Sequence, residues 1–177
     1  MSKFTLKNVR ISFPSLFQKA IFDGNAGKYE ATFLINKDEQ ASLIDQINTR
    51  IDQFLEEKFG KGKVPKAIKR TVFKDGDEVD YDGYENHMAF KAGSANRRPT
   101  VIDRDKSPLV EDDEKPLAGD YVNAIVSLWY SDHPKGGKQV LGNLMGVQFV
   151  KEGERFGAGN EDVTDDFDEL EDDQDDF

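Results

Sequence analysis

Aromatic rings interleaved with cations are the residues of this chain whose types and spacing carry chemistry, and that chemistry is binding, not bond breaking. Between Asp120 and Tyr130, alternation puts Val122, Ala124, Val126, Leu128 and Tyr130 on one face of a strand and Tyr121, Asn123, Ile125, Ser127 and Trp129 on the other. Rings on the more polar face are platforms for unpaired bases, each stack being worth about 1–3 kcal/mol. The competing reading of Trp129 is a cap on the core, and for Tyr121 and Phe90 core packing is the preferred reading. Cations for phosphates stand nearby in sequence. Lys61, Lys63, Lys66, Lys69 and Arg70 belong to a run, Lys61–Lys74, with six bases and no acid; Lys91, Arg97, Arg98 and Arg104 follow, then Lys135 and Lys138 at a hairpin tip.

Catalytic and metal-binding patterns are poor by comparison. The absence of cysteine excludes disulfides, thiolate zinc and cysteine nucleophiles. His87 and His133 have no partner at metal-ligand or triad spacing. Gly157-Ala158-Gly159 runs into acid, and Gly136-Gly137-Lys138-Gln139 lacks the spacing and hydroxyl of a phosphate loop. Glu78-x-Asp80-x-Asp82-Gly83 starts like a calcium loop but has Ala89 where the twelfth position needs a bidentate Glu. The expectation is a protein with no enzymatic activity, no cofactor and no metal.

The elements that must position these residues are mostly strands. Phe4–Ile11 and Lys28–Ile35 alternate, with Phe13-Pro14-Ser15-Leu16-Phe17 breaking the ladder between them and Gly24-Asn25-Ala26-Gly27 turning. One helix is predicted from an N-cap at Asn36 to about Lys58, stopped by Gly60, with Leu43, Ile44, Ile47, Ile51, Phe54 and Leu55 on one face. Asp75–Glu85 is an acidic, turn-rich insert. Further strands are expected at Asn86–Ala92, Pro99–Asp103, Asp120–Tyr130 and Gln139–Val150, the last two forming a hairpin around residues 132–138. Several strands, one long helix between early and middle strands, and decorated loops fit a mainly β, five- to six-stranded Greek-key barrel.

The formal net charge of −11 opposes phosphate binding until its distribution is considered. Eleven of the 35 acids lie in residues 161–177, which contain no base, so residues 1–160 balance 24 acids with 24 bases. Such a tail buries too little apolar surface to offset its ordering entropy, and disorder is expected for it. This divides the chain into a domain, residues 1–158, and a flexible acidic tail, residues 159–177. No apolar run approaches membrane-spanning length and the N-terminus alternates, so a soluble intracellular protein that engages no membrane is expected.

The ordered series Asn8-Val9-Arg10-Ile11-Ser12-Phe13-Pro14-Ser15-Leu16-Phe17, Lys28–Ile35, Asp75-Gly76-Asp77, Pro99-Thr100-Val101-Ile102-Asp103-Arg104 and Gly119-Asp120-Tyr121-Val122-Asn123-Ala124 resembles one family of phage single-stranded DNA-binding proteins with an OB fold, long catalogued without function. The resemblance spans about residues 3–158 and points to the replicative binding proteins of tailed enterobacterial phages. It implies an OB-like barrel, non-sequence-specific single-stranded DNA binding in phage replication and recombination, and work in the host cell cytoplasm. The ending Asp172-Asp173-Gln174-Asp175-Asp176-Phe177 is similar to the acidic, aromatic-terminated tails of such proteins but lacks a Pro before Phe177. That departure favours phage replication proteins as tail partners over host ones, with Asp172, Asp173, Asp175, Asp176 and Phe177 as the partner-binding residues. Two alternatives stay open: an acidic DNA mimic that occupies another DNA-binding protein, and a general binder that also takes double-stranded DNA. A barrel edge is able to pair two copies into a homodimer, although no strand residue demands it.

Overall fold

The computed structural model describes residues 2–22, 24–156 and 164–170. Along the chain run β1 (Phe4–Ser15), a two-by-two-residue hairpin of β2 (Ile21–Phe22) and β3 (Asn25–Ala26), β4 (Tyr29–Asn36), α1 (Ala41–Phe59), β5 (Phe73–Asp75), β6 (His87–Ser94), β7 (Thr100–Ile102), β8 (Tyr121–Ser131) and β9 (Gln139–Lys151). Short 3-10 turns cover Gly76–Glu78, Glu111–Asp113 and Thr164–Asp166.

Alternation decides which side of each strand faces inward. Phe33 of β4 sits opposite Phe90 of β6, and Val122, Ala124, Val126 and Leu128 of β8 point the same way; all are buried. The strands close on themselves. β1 pairs antiparallel with β4 and with β8, β4 with β6, and β8 with β9, while a short parallel pairing of Ala92 with Gly142 and Gly93 with Asn143 joins β6 to β9. Five strands in the order β1-β4-β6-β9-β8 therefore form a small closed barrel, with β5 and β7 appended at its margins. This is the OB arrangement, and it matches the mainly β fold expected from the sequence.

β1 serves two neighbours because it bends. Its register shifts between Leu6 and Val9 against β8, and between Ser12 and Ser15 against β4. Both shifts contain a left-handed residue, Asn8 at φ 52° and Phe13 at φ 48°. The Phe13-Pro14-Ser15 segment thus interrupts the ladder without ending the strand. Asn is at ease in that region and Phe is not, so the second bulge is a strained one.

α1 packs Ile47, Ile51 and Leu55 into the barrel core, with Leu43, Ile44, Phe54 and Phe59 partly buried beside them. Arg50 lies over the Phe4 ring at 4.7 Å and Phe59 meets Tyr130 edge-on at 5.3 Å, so the helix covers the barrel end where β1 begins and β8 finishes. The predicted N-cap is displaced: the Asn36 side chain accepts from Asp38 N and Glu39 N, closing a turn, and the helix itself starts at Ala41. Gly60, at φ 97°, ends it as expected. Asp172, Asp173, Asp175, Asp176 and Phe177 lie outside the described residues; of the segment expected to be a disordered tail, residues 164–170 are described, exposed and carrying the 3-10 turn Thr164–Asp166.

Candidate nucleic-acid interface

On the outer face of the barrel, β4 presents Glu30 and Thr32 and β6 presents Lys91. A groove of about 550 Å³ runs over them, bounded by Phe13, Lys74 and Tyr81. An adjoining hollow shares Thr71 and Lys91 with it and Lys28 and Gly93 with a third hollow, of about 290 Å³, lined by Ser127, Trp129 and Asn143. One path therefore crosses β4, β6, β9 and β8, the surface where OB folds hold oligonucleotides, flanked by the β1–β4 and β8–β9 connections.

Exposed rings stand at both ends of this path. Trp129 is 40 % exposed, and Phe13 and Tyr81 are 58 % and 53 % exposed, exposures that leave ring faces free to stack. The Phe13 and Tyr81 rings meet edge-on at 5.2 Å, and Tyr81 meets Tyr84 at 5.2 Å. Tyr84 is the buried root of this lip: its hydroxyl donates to Ser12 Oγ at 3.1 Å, and burial pushes its phenol pKa up, keeping it a donor. Lys37 fixes the start of the turn that carries Tyr81 and Tyr84. Its ammonium lies 2.6 Å from both Asp75 and Asp77, and Asp77 also accepts from Asn86 N at 2.9 Å. These hydrogen bonds hold both carboxyls below their ordinary pKa and raise that of Lys37.

The structure redistributes the cations singled out from sequence. Lys91 lies in the groove, its ammonium 3.8 Å from Glu30. Lys28 and Lys74, not singled out, line it too and make no ion pair among the described residues. Lys66, Lys69, Lys135 and Lys138 are exposed on two loops that run side by side, joined by Lys69 N to Lys138 O at 3.0 Å. Arg97 and Arg98 are exposed on the loop after β6, with Arg98 6.0 Å from the Phe17 ring centroid. Arg70 is engaged with Asp52 of α1 at 2.5 Å, and Arg104 donates to the Val150 carbonyl, so neither reaches the groove as a free charge.

Neither of the two lesser aromatic candidates is open to bases, and for Phe90 the preferred reading, core packing, is the one observed. Phe90 is fully buried, packed edge-on against Phe4 and beside Phe73, and its ring is core. Tyr121 shares the outer face of β8 with Trp129, but eight residues along a strand separate them by about 27 Å. Its ring lies beneath Lys151 at 4.9 Å and Arg10 at 5.9 Å, occupied by protein cations instead of being open to bases. Phe13 and Tyr81 were missed because a strained bulge and an irregular turn place them, and neither has a period; Lys74, the last base of the run Lys61–Lys74, reaches the groove from the three-residue strand β5. The available signal was two rings, Phe13 and Tyr81, within or beside turn-forming Gly, Asp and Pro.

Arg10 has another role. It donates to the carbonyls of Gly119 and Glu154, and its guanidinium lies 4.3 Å from the Phe156 ring centroid. Phe156 in turn rests on Gly83, where an added Cβ would fall 2.0 Å from a ring carbon. The last segment before the acidic tail is thus pinned beside the Tyr81–Tyr84 lip.

A family model described as the single-stranded DNA-binding protein of Enterobacter phage Enc34 matches residues 2–177. The chain belongs to this family. The chain is 38 % identical over 176 residues, covering 95 % of itself and 94 % of its relative, to putative protein p50 of Acyrthosiphon pisum secondary endosymbiont phage 1. The solved Enc34 protein superposes with a TM-score of 0.74 at 27 % identity, over 94 % of this chain and 90 % of that one. The same protein in complex with single-stranded DNA gives 0.73 at 28 % identity, over 88 % and 89 %. The single-stranded DNA-binding protein encoded by bacteriophage T7 shares the fold of the Enc34 family member described here, with a TM-score of 0.58 at 16 % identity over 95 % of this chain and 96 % of that one.

Proposed function

We propose that this protein binds single-stranded DNA along the groove, stacking bases on Trp129 at one end and on Phe13 and Tyr81 at the other, with Lys28, Lys74 and Lys91 meeting phosphates between them. Stacking and phosphate contact both tolerate any sequence, which is what coating a replication intermediate requires. The observation that carries the reading is the chain of adjoining hollows, sharing lining residues, between two sets of exposed rings. The solved complex of the Enc34 family member with single-stranded DNA supports it. The setting that follows is phage DNA replication and recombination in the host cytoplasm, with no catalytic step.

The acidic tail regulates this groove and recruits phage replication proteins. Eleven acids beyond residue 160 compete with phosphates for the lysines, and Phe156 anchors the chain beside the lip from which they extend. DNA binding then frees Asp172, Asp173, Asp175, Asp176 and Phe177 for partners.

The test is a titration of fluorescent single-stranded oligonucleotides with the full chain, a chain ending at Gly159, and Trp129→Ala, at low and moderate salt. Saturable binding with Trp129 quenching is expected. Trp129→Ala weakens it by about 1–3 kcal/mol, and removal of the tail tightens it most at low salt. No binding by either wild-type chain overturns the groove reading; equal binding by both overturns the regulatory tail. A second reading adds duplex, since Lys66, Lys69, Lys135 and Lys138 form a cationic patch on loops without an exposed Phe, Tyr or Trp; competition between duplex and single-stranded probes separates the two.

A further inference from the structure

Glu30 is an anomaly in a groove built for an anion. It sits on the outer face of β4 opposite Gly93 of β6, which has no side chain, and opposite Ser15 of β1. Its side chain is 12 % exposed on the groove floor, while Lys91, the nearest cation, is 55 % exposed and 3.8 Å away, beyond hydrogen-bond reach. Lys91 extends outward, where phosphates run; the carboxylate stays below.

We infer that Glu30 discriminates among bases, favouring those that present N–H donors to the floor over thymine; this rests on the groove being the DNA site. A strand whose bases stack on Trp129, Phe13 and Tyr81 and whose phosphates meet the lysines turns base edges toward the sheet. An ionised carboxylate only accepts hydrogen bonds. Guanine offers it N1–H and the N2 amine side by side, cytosine its N4 amine and adenine its N6 amine. Thymine offers a single N3–H between two carbonyl oxygens whose lone pairs the carboxylate repels. Thr32, the neighbour on the same face, has a hydroxyl that donates or accepts and makes no such distinction. The result is a compositional bias laid over sequence-tolerant stacking.

The experiment compares full-length protein on oligonucleotides of equal length: all-dT, all-dC, and dT carrying scattered dG or, in its place, deoxyinosine. Cytosine and thymine stack with similar strength, so their ratio isolates edge chemistry, and inosine differs from guanine only by the N2 amine. Wild type should bind dC and dG probes about fivefold or more tighter than dT, and inosine should lose part of that gain. In Glu30→Gln, whose amide both donates and accepts, the ratios should collapse to within about twofold, whatever the change in overall affinity. Equal wild-type binding to dC and dT, or ratios unchanged in Glu30→Gln, overturns the inference while leaving the groove intact. Failure to bind every probe overturns the groove itself. The inosine comparison needs no protein variant, so it stands even if Glu30→Gln folds poorly.

Discussion

Phe13 shows how much local strain the site tolerates. A bulky residue at φ 48° costs about 1–3 kcal/mol and persists only where the surrounding structure holds it. Here the outcome is a ring 58 % exposed beside Tyr81 on the rim of the groove instead of inside the barrel. Phe13→Gly removes both strain and ring, so its melting temperature should equal or exceed that of wild type while affinity for single-stranded DNA falls by about 1–3 kcal/mol. Thermal denaturation and an oligonucleotide titration on the same preparation check it, and parallel loss of both would show Phe13 to be structural. The outward placing of Trp129 was legible in the sequence because alternation along β8 leaves one outer face. Phe90 was preferred as core but only weakly signalled, because His87-Met88-Ala89-Phe90-Lys91-Ala92-Gly93-Ser94 mixes small, polar and apolar residues without a clean period, and the pairing with Phe33 assigns its side.

α1 and the Lys37 turn do opposite kinds of work. The helix is a plug: Ile51 is fully buried in the barrel core, and Ile51→Ala should cost about 2–5 kcal/mol in denaturant unfolding while leaving the groove residues in place. Its apolar stripe was readable because one face repeats at helical spacing over four turns. Its start was not, because Asn36 satisfies backbone donors of a turn instead of those of the helix, a choice that depends on how β4 hands over the chain. The Lys37 turn is a polar clamp. Asp75 and Asp77 have depressed pKa values, so their contribution is present above the ordinary value of 3.8 and is lost as pH falls through the lower folded-state value; that of Lys37, which is raised, is lost only as pH climbs past 10.5. The clamp is intact at neutral pH. The Asn86 amide, which donates to Asp77, should therefore shift by NMR with a midpoint below 3.8, and a midpoint at or above 3.8 would contradict the clamp.

At the scale of the whole molecule, charge and closure matter most. Replacing Lys74 and Lys91 together by Gln should flatten the dependence of log affinity on log salt by about 1.4, two phosphates at about 0.7 each, whereas Trp129→Ala should leave that slope unchanged. The segregation of acid into the tail was plain in the sequence, as was a small β barrel. How the barrel shuts was not: Ala92, Gly93, Gly142 and Asn143 form the seam, and two parallel residue pairs built largely from small residues leave no pattern that separates them from a loop. That seam also determines what the molecule offers its neighbours. The sheet ends at β5 and β7, each three residues long. Open edges of greater length are templates on which crowded chains zip into shared sheets and aggregate. Among the described residues, copies packed side by side along a strand of DNA meet no long edge of this kind, which favours a coat that assembles and comes apart without its strands fusing one molecule to the next.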